Sequence, residues 1–295
     1  MKFTKKLMSV ILLFTSFYSC EEDALVSDFN GKQPIPIIEE GTTEASQLAY
    51  SIYKKHDLHI YYDLEGEEAL ETEYGTISHS TPIKADEERA VIFLTLIDKM
   101  YDLFSDYREM QIYRRQLLVG NDFESTTASV FDALGFNRDF AVYNRQATQI
   151  LSNVTNEFEF NLALTKEMLL NTYFVGYFAY QFSIPADFVE VSSGRYNDEV
   201  SFPLLSTSNS SYFENLATDF GFVHPYGTLS SSFNPYQDWE SFVVWIISRP
   251  KYERDAWLDT KPLVKAKYDI VMATMLEEFE MDLEAFSTEW QLVGL

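Results

Sequence analysis

The chain is poor in the side chains that grip divalent cations, with four His and one Cys among 295 residues. No two of His56, His59, His79 and His224 stand four apart, so no helix face can present a pair of imidazoles. The lone Cys20 excludes an intrachain disulfide, and stability must come from a core. Basic residues are scarce as well: 22 Lys and Arg stand against 46 Asp and Glu, a net charge of −24. Nucleic acid, which needs cationic side chains to displace its counterions, is excluded as a partner. Lying flat on anionic lipid is disfavoured for the same reason. Beyond the first twenty residues no run is long and apolar enough to span a bilayer. Internal repeats are absent, and so is any strong linker.

What the N-terminus does have is an address. Lys2, Lys5 and Lys6 precede an apolar run at residues 7–14 and small or aromatic residues at 15–19, the pattern of a secretory signal. It ends at Cys20, which reads as the acceptor of a diacylglyceryl group, although Phe17 stands where such boxes prefer Leu. Cleavage before Cys20 removes three Lys and no acid, taking the charge from −24 to −27. Glu21, Glu22 and Asp23 follow the anchor directly, and residues 24–42, with Gly31, Pro34 and Pro36, read as a tether. The expected organisation is a signal peptide at 1–19, a lipidated acidic tether at 20–42 and one folded domain at 43–295. Acyl chains would hold that domain on a membrane, not through it.

Along the domain, residues 43–53 carry a Thr cap and helical spacing, and 58–64 is β-branched and aromatic, as a strand would be. Residues 86–104 are the clearest helix, with acids in the first turn and Val91, Leu94, Leu96, Ile97 and Tyr101 on a broad apolar face. Residues 111–119 and 140–143 suggest two more strands. The stretch 158–182 reads as a long aromatic helix, 185–232 as a loop-rich span, and 238–248, 261–279 and 283–290 as closing helices. The pattern predicts one α+β domain with a helical C-terminal part.

The order of several short stretches resembles the zinc metallopeptidase lipoproteins of Bacteroidota, also described as substrate-import-associated zinc metallohydrolase lipoproteins. The stretches are residues 58–64, 86–104, 117–122 (LLVGND), 181–196 (QFSIPADFVEVSSGRY), 221–241 (GFVHPYGTLSSSFNPYQDWES) and 261–284. The resemblance implies a gluzincin-like metallopeptidase fold, a small mixed sheet packed on helices. In that family one helix bears His-Glu-x-x-His and a downstream helix bears an acidic motif. The acids at 21–23 are similar to the family's signal for display on the outer face of the outer membrane.

This chain departs from the family where the chemistry would lie. The zinc-helix positions fall on Tyr173, Phe174 and Tyr177, and no His, Glu or Asp lies between Asn171 and Gln181. Of the acidic motif Gln237, Asp238 and Glu240 remain, with Ser241 at the family's last Glu; capping a helix that begins near Trp239 is the role expected of them. Without ligands there is neither a Lewis acid nor an activated water, so no metal or other cofactor is expected beyond the lipid on Cys20.

The resemblance thus implies a non-catalytic pseudo-metallopeptidase, an accessory subunit of an outer-membrane barrel complex such as a TonB-dependent transporter with its SusD-like lid. One alternative is a glycan- or peptide-binding lipoprotein, which an exposed aromatic cluster at Tyr177, Tyr180, Tyr226 and Tyr236 would favour. A second is a zinc metallohydrolase with a non-standard site. A Gly-x-Ser-x-Gly elbow is missing from the Ser-rich loops.

Overall fold

The computed structural model describes residues 38–63, 83–107, 115–118, 142–145, 148–151, 154–156, 160–174, 178, 182–196, 217–223 and 234–294. They lie in a compact unit, Ile37–Leu295. Cys20, Glu21, Glu22, Asp23, Tyr177, Tyr180, His79, His224 and Tyr226 lie outside the described residues.

Helix α1 (Glu44–His56) starts at Thr43, whose hydroxyl accepts from the Ser46 N–H while the Ser46 hydroxyl accepts from Thr43 N–H, a reciprocal capping box. Its stripe Ala45, Ala49 and Ile52 is buried against α2 (Glu87–Phe104). In α2 the buried residues are Ala90, Phe93, Leu94, Leu96, Ile97, Met100, Tyr101 and Phe104, a face wide enough to meet more than one neighbour. Glu87, in the first turn of α2, reaches across to accept from Ala45 N–H at 2.9 Å, so the second helix satisfies a free donor at the start of the first.

Four short strands, β1 (His59–Tyr61), β2 (Arg115–Leu118), β3 (Val142–Arg145) and β4 (Thr148–Leu151), are hydrogen-bonded in the order β1-β2-β4-β3. The pairs β1–β2 and β2–β4 are parallel, and β3–β4 is antiparallel. Helix α2 lies in the connection from β1 to β2, as parallel neighbours require. Helix dominates the described residues.

The C-terminal part is built on α5 (Pro235–Ser248). It has buried residues on every side, which makes it the central helix of this part: Asp238–Glu240 and Phe242–Ile247 are all inside. It packs on α3 (Leu162–Phe174) and on α8 (Leu283–Leu292), while α4 (Ala186–Val191) packs on α7 (Pro262–Phe279) and α6 (Lys251–Leu258) joins α5 to α7. Helix ends that would leave bare carbonyls are closed by side chains from the next element. Ser287 and Gln291 of α8 donate to the carbonyls of Ile247 and Ser248 at the end of α5. Lys166 of α3 in turn donates to the carbonyls of Trp290, Gln291 and Val293 at the end of α8, and burial pulls its amine down to about 8.

Several boundaries differ from expectation. Helix α3 begins at Leu162, not 158, because the Asn161 carboxamide accepts from Leu164 N–H and caps it there. The span read as loop from 185 onward holds α4 and a single helical turn at 217–219. Helix α5 begins at Pro235, not near Trp239. Its cap is Asn234, paired with Gln237 in a second capping box, and Asp238 and Glu240 point into the core instead of capping. Strand β4 and helix α6 are additions that the sequence pattern does not predict.

Candidate functional site

The first turn of α5 carries an acid into the core. Asp238 is fully buried, and its Oδ2 accepts from Lys267 Nζ at 2.5 Å and from Tyr196 Oη at 2.7 Å. Lys267 sits on the buried stripe of α7, spaced Val264, Lys267, Val271, Met275. Four ring faces surround its ammonium: Phe222 at 4.4 Å, Phe188 at 4.8 Å, Tyr196 at 5.2 Å and Phe242 at 5.9 Å. Burial pushes the Asp238 carboxyl up in spite of Lys267, and pushes the Lys267 amine down in spite of Asp238. Desolvation therefore exceeds the charge attraction. The rings and the phenol of Tyr196, itself pushed up by burial and by Asp238, offset part of that cost.

The turn that brings Phe222 to the cage depends on Gly221. Its φ of +84° is in the left-handed region, and an added Cβ would stand 3.0 Å from Ser192 Oγ and 3.1 Å from Leu263 Cβ. The Ser192 hydroxyl donates to Phe220 carbonyl at 2.7 Å, joining this turn to the end of α4. Both charged side chains of the pair are 0% exposed. The arrangement ties four segments together.

Helices α3 and α5, which carry the two stretches where the resemblance expects a zinc site, adjoin. A ladder of rings runs from α2 through the end of α3 to α5. Tyr173 stacks on Phe104 at 4.1 Å with ring planes 8° apart and meets Tyr101 edge-on at 5.4 Å. Phe174 meets Phe104 and stacks on Phe178, and Phe178 meets Trp239, the neighbour of Asp238. Tyr173 is 1% exposed and Phe174 0%. A phenyl ring has no lone pair to give, and a phenol clamped in an aromatic stack is not presented to a cation. Zinc does not fit the described residues at these positions. Of the tyrosines on which a ligand-binding surface was to rest, Tyr236 is described, and it is partly buried against the core.

A second ion pair, buried on its Arg254 side and partly exposed at Glu284, joins α6 to α8. Arg254 donates both Nη atoms to the Glu284 carboxylate at 2.7 Å, and Tyr268 Oη donates to the same group at 2.5 Å. The hydrogen bond from Arg254 leads, with Tyr268 helping against burial, and holds the Glu284 carboxyl at about 2, below its ordinary 4.5. Because the folded value is the lower one, this stabilisation is complete above pH 4.5 and disappears as pH falls through 2. We expect acid titration of unfolding to show a loss of roughly 1–2 kcal/mol across that window, after allowance for solvent screening, and Glu284→Gln to remove it.

His56 and His59 belong to different elements. His56 ends α1 and its Nε2 faces Asp98 and Asp102 of α2, at 3.1 Å and 3.5 Å. His59 opens β1, with its Nδ1 3.4 Å from Tyr61 Oη and its ring against Tyr53. Sequence reasoning missed Lys267, Arg254 and the His56 trio. For Lys267 a signal existed in its place on the apolar spacing of α7.

Among the described residues no helix is long and apolar enough to cross a membrane. No family model matches the chain, and no curated protein matches its sequence. Its structure is similar to a crystal structure described as a "putative zinc-binding metallo-peptidase" from Bacteroides caccae. The TM-score is 0.56 and the identity 12%, over 86% of this chain and 94% of that one. At that identity the likeness is one of fold, and the chain has a metallopeptidase-like fold.

Proposed function

We propose that this chain is a non-catalytic, gluzincin-like pseudo-metallopeptidase, lipid-anchored through Cys20 and displayed on the outer face of the outer membrane. There it acts as an accessory subunit of an outer-membrane barrel complex of the TonB-dependent, SusCD-like kind. The observation that carries the loss of catalysis is the donor set. Tyr173 and Phe174 are packed as core rings, and nothing from Asn171 to Gln181 offers an imidazole or a carboxylate. Hydrolysis of a peptide bond by the zinc route needs a bound cation and its polarised water, and these helices cannot hold one. Sealing of the Asp238–Lys267 pair supports the same reading, since the remnant of the acidic motif is spent inside the core.

The anchor, the acidic run after it and the resemblance in segment order support the placement and the partner class. A protein that has kept the scaffold without the chemistry retains its surfaces, and surfaces serve binding. The test is affinity capture through a C-terminal tag from outer membranes solubilised in mild detergent. We expect a barrel protein, with or without a SusD-like lipoprotein, in near-stoichiometric amount. Recovery of the chain alone would overturn the accessory role. Steady cleavage of peptides by the purified protein, abolished by a chelator, would overturn the loss of catalysis.

A further inference from the structure

No metal-ligand cluster is expected from the sequence, yet one stands where α1 meets α2, apart from the helices of the former zinc site. One ligand atom each from His56, Asp98 and Asp102 lies within 4.8 Å of the others. Asp98 and Asp102 are four apart on α2, which puts both carboxylates on one face, and His56 is presented to them by the last residue of α1. The spacing is informative. With zinc–nitrogen and zinc–oxygen bonds of about 2.0–2.2 Å, neighbouring ligand atoms of a tetrahedral site stand about 3.3 Å apart. His56 Nε2 lies 3.1 Å and 3.5 Å from the two carboxylate oxygens.

The environment is shaped as well. The His56 side chain is 7% exposed and its ring packs against Tyr101 at 5.7 Å, which holds its orientation. One face remains open to water through Asp102, at 30% exposure. A resident cation already marks the position. Lys55 Nζ contacts both Asp98 and Asp102. With a side chain 44% exposed, Lys55 can swing into solvent when a dication arrives.

We propose that His56, Asp98 and Asp102 form a three-ligand site for a borderline-soft divalent cation of the zinc class, with Lys55 as the displaceable occupant. One imidazole and two carboxylates give a charge of −2 to set against the ion, and the nitrogen donor favours zinc over calcium or magnesium. Ligation through Nε2 needs the tautomer with its proton on Nδ1, so the hydrogen bond from His56 to Asp98 gives way to two bonds to one metal. The ion would pin the end of α1 to α2, a role in rigidity that does not depend on the accessory reading.

Titration of the full lipoprotein in detergent with zinc chloride tests this, by calorimetry and by metal analysis after gel filtration. We expect one zinc per chain, no competition from millimolar magnesium or calcium, and a downfield-shifted His56 Nε2 in nitrogen NMR. His56→Ala should weaken the site at least a hundredfold, and so should the isosteric pair Asp98→Asn with Asp102→Asn, whose fold can be checked by circular dichroism. Lys55→Ala should tighten it about tenfold while Lys265→Ala, which removes the same charge from the pair with Asp269, leaves it unchanged; general attraction to an acidic surface would not separate the two. Weak multi-site binding unchanged by His56→Ala, or zinc binding indifferent to Lys55→Ala, would overturn the proposal.

Discussion

Lys267→Met is expected to lower the free energy of unfolding by about 3–5 kcal/mol, the range for removing one partner of a buried ion pair. The side chain and its partner are both 0% exposed, so the surviving Asp238 carboxylate would have neither a counterion nor water. Four aromatic faces that now meet a cation would meet a thioether instead. Asp238→Leu alone should be comparably damaging, because it strands the ammonium among those rings. The double variant is the informative one. Burial already disfavours the charged form of both groups, so removing both removes a desolvation cost along with the attraction. Urea unfolding should therefore show the double variant to be more stable than either single one. A double-variant loss equal to the sum of the two singles would mean that the groups act independently, and would contradict the geometry.

The second large effect concerns the membrane. Replacing Cys20 with Ser is expected to move nearly all of the protein from the membrane pellet to the soluble fraction and to abolish labelling by a clickable fatty acid. Each buried methylene contributes about 0.8 kcal/mol, so if Cys20 carries the proposed acyl chains their loss removes most of the membrane affinity. A net charge of −24 offers no electrostatic substitute at an anionic surface. Changing Glu21, Glu22 and Asp23 to Ala should separate the two halves of the address. The protein should stay in the pellet but lose its sensitivity to protease added to intact cells. Continued pelleting of Cys20→Ser would show that something other than lipid holds the chain.

Much of the helical framework is legible in the sequence because its signals are local. Thr43 and Asp86 mark helix starts, and the apolar period of residues 86–104 sets which side of α2 is buried. The metallopeptidase-like fold is legible from the order of weak segments, although 12% identity to the similar solved structure leaves little for any single motif to show. Helix α3 is shorter than its apolar run because Phe158 and Phe160 fit that run as well as their successors do; the Asn161 cap, a polar side chain inside it, is what sets the start. The fate of the acidic motif is illegible for a different reason. Whether Asp238 caps a helix or enters the core depends on where α5 begins, and Asn234 with Pro235 moves that start four residues earlier than Trp239. Lys267 is similar: lysine is almost never fully buried, and its partners come from residues 188, 196, 222, 238 and 242, which nothing in the local sequence joins to it.

The latch between Lys166 and the end of α8 bears on when this molecule can fold. Phe286 and Trp290 fill the interior, and the carbonyls to which Lys166 donates belong to Trp290, Gln291 and Val293. Until those residues leave the ribosome, α3 and α5 lack the wall that α8 provides, and the carbonyls of Ile247 and Ser248 remain open to water. A polypeptide that has not yet emerged as far as α8 therefore has an open interior, and α3 and α5 settle only once Phe286 and Trp290 arrive.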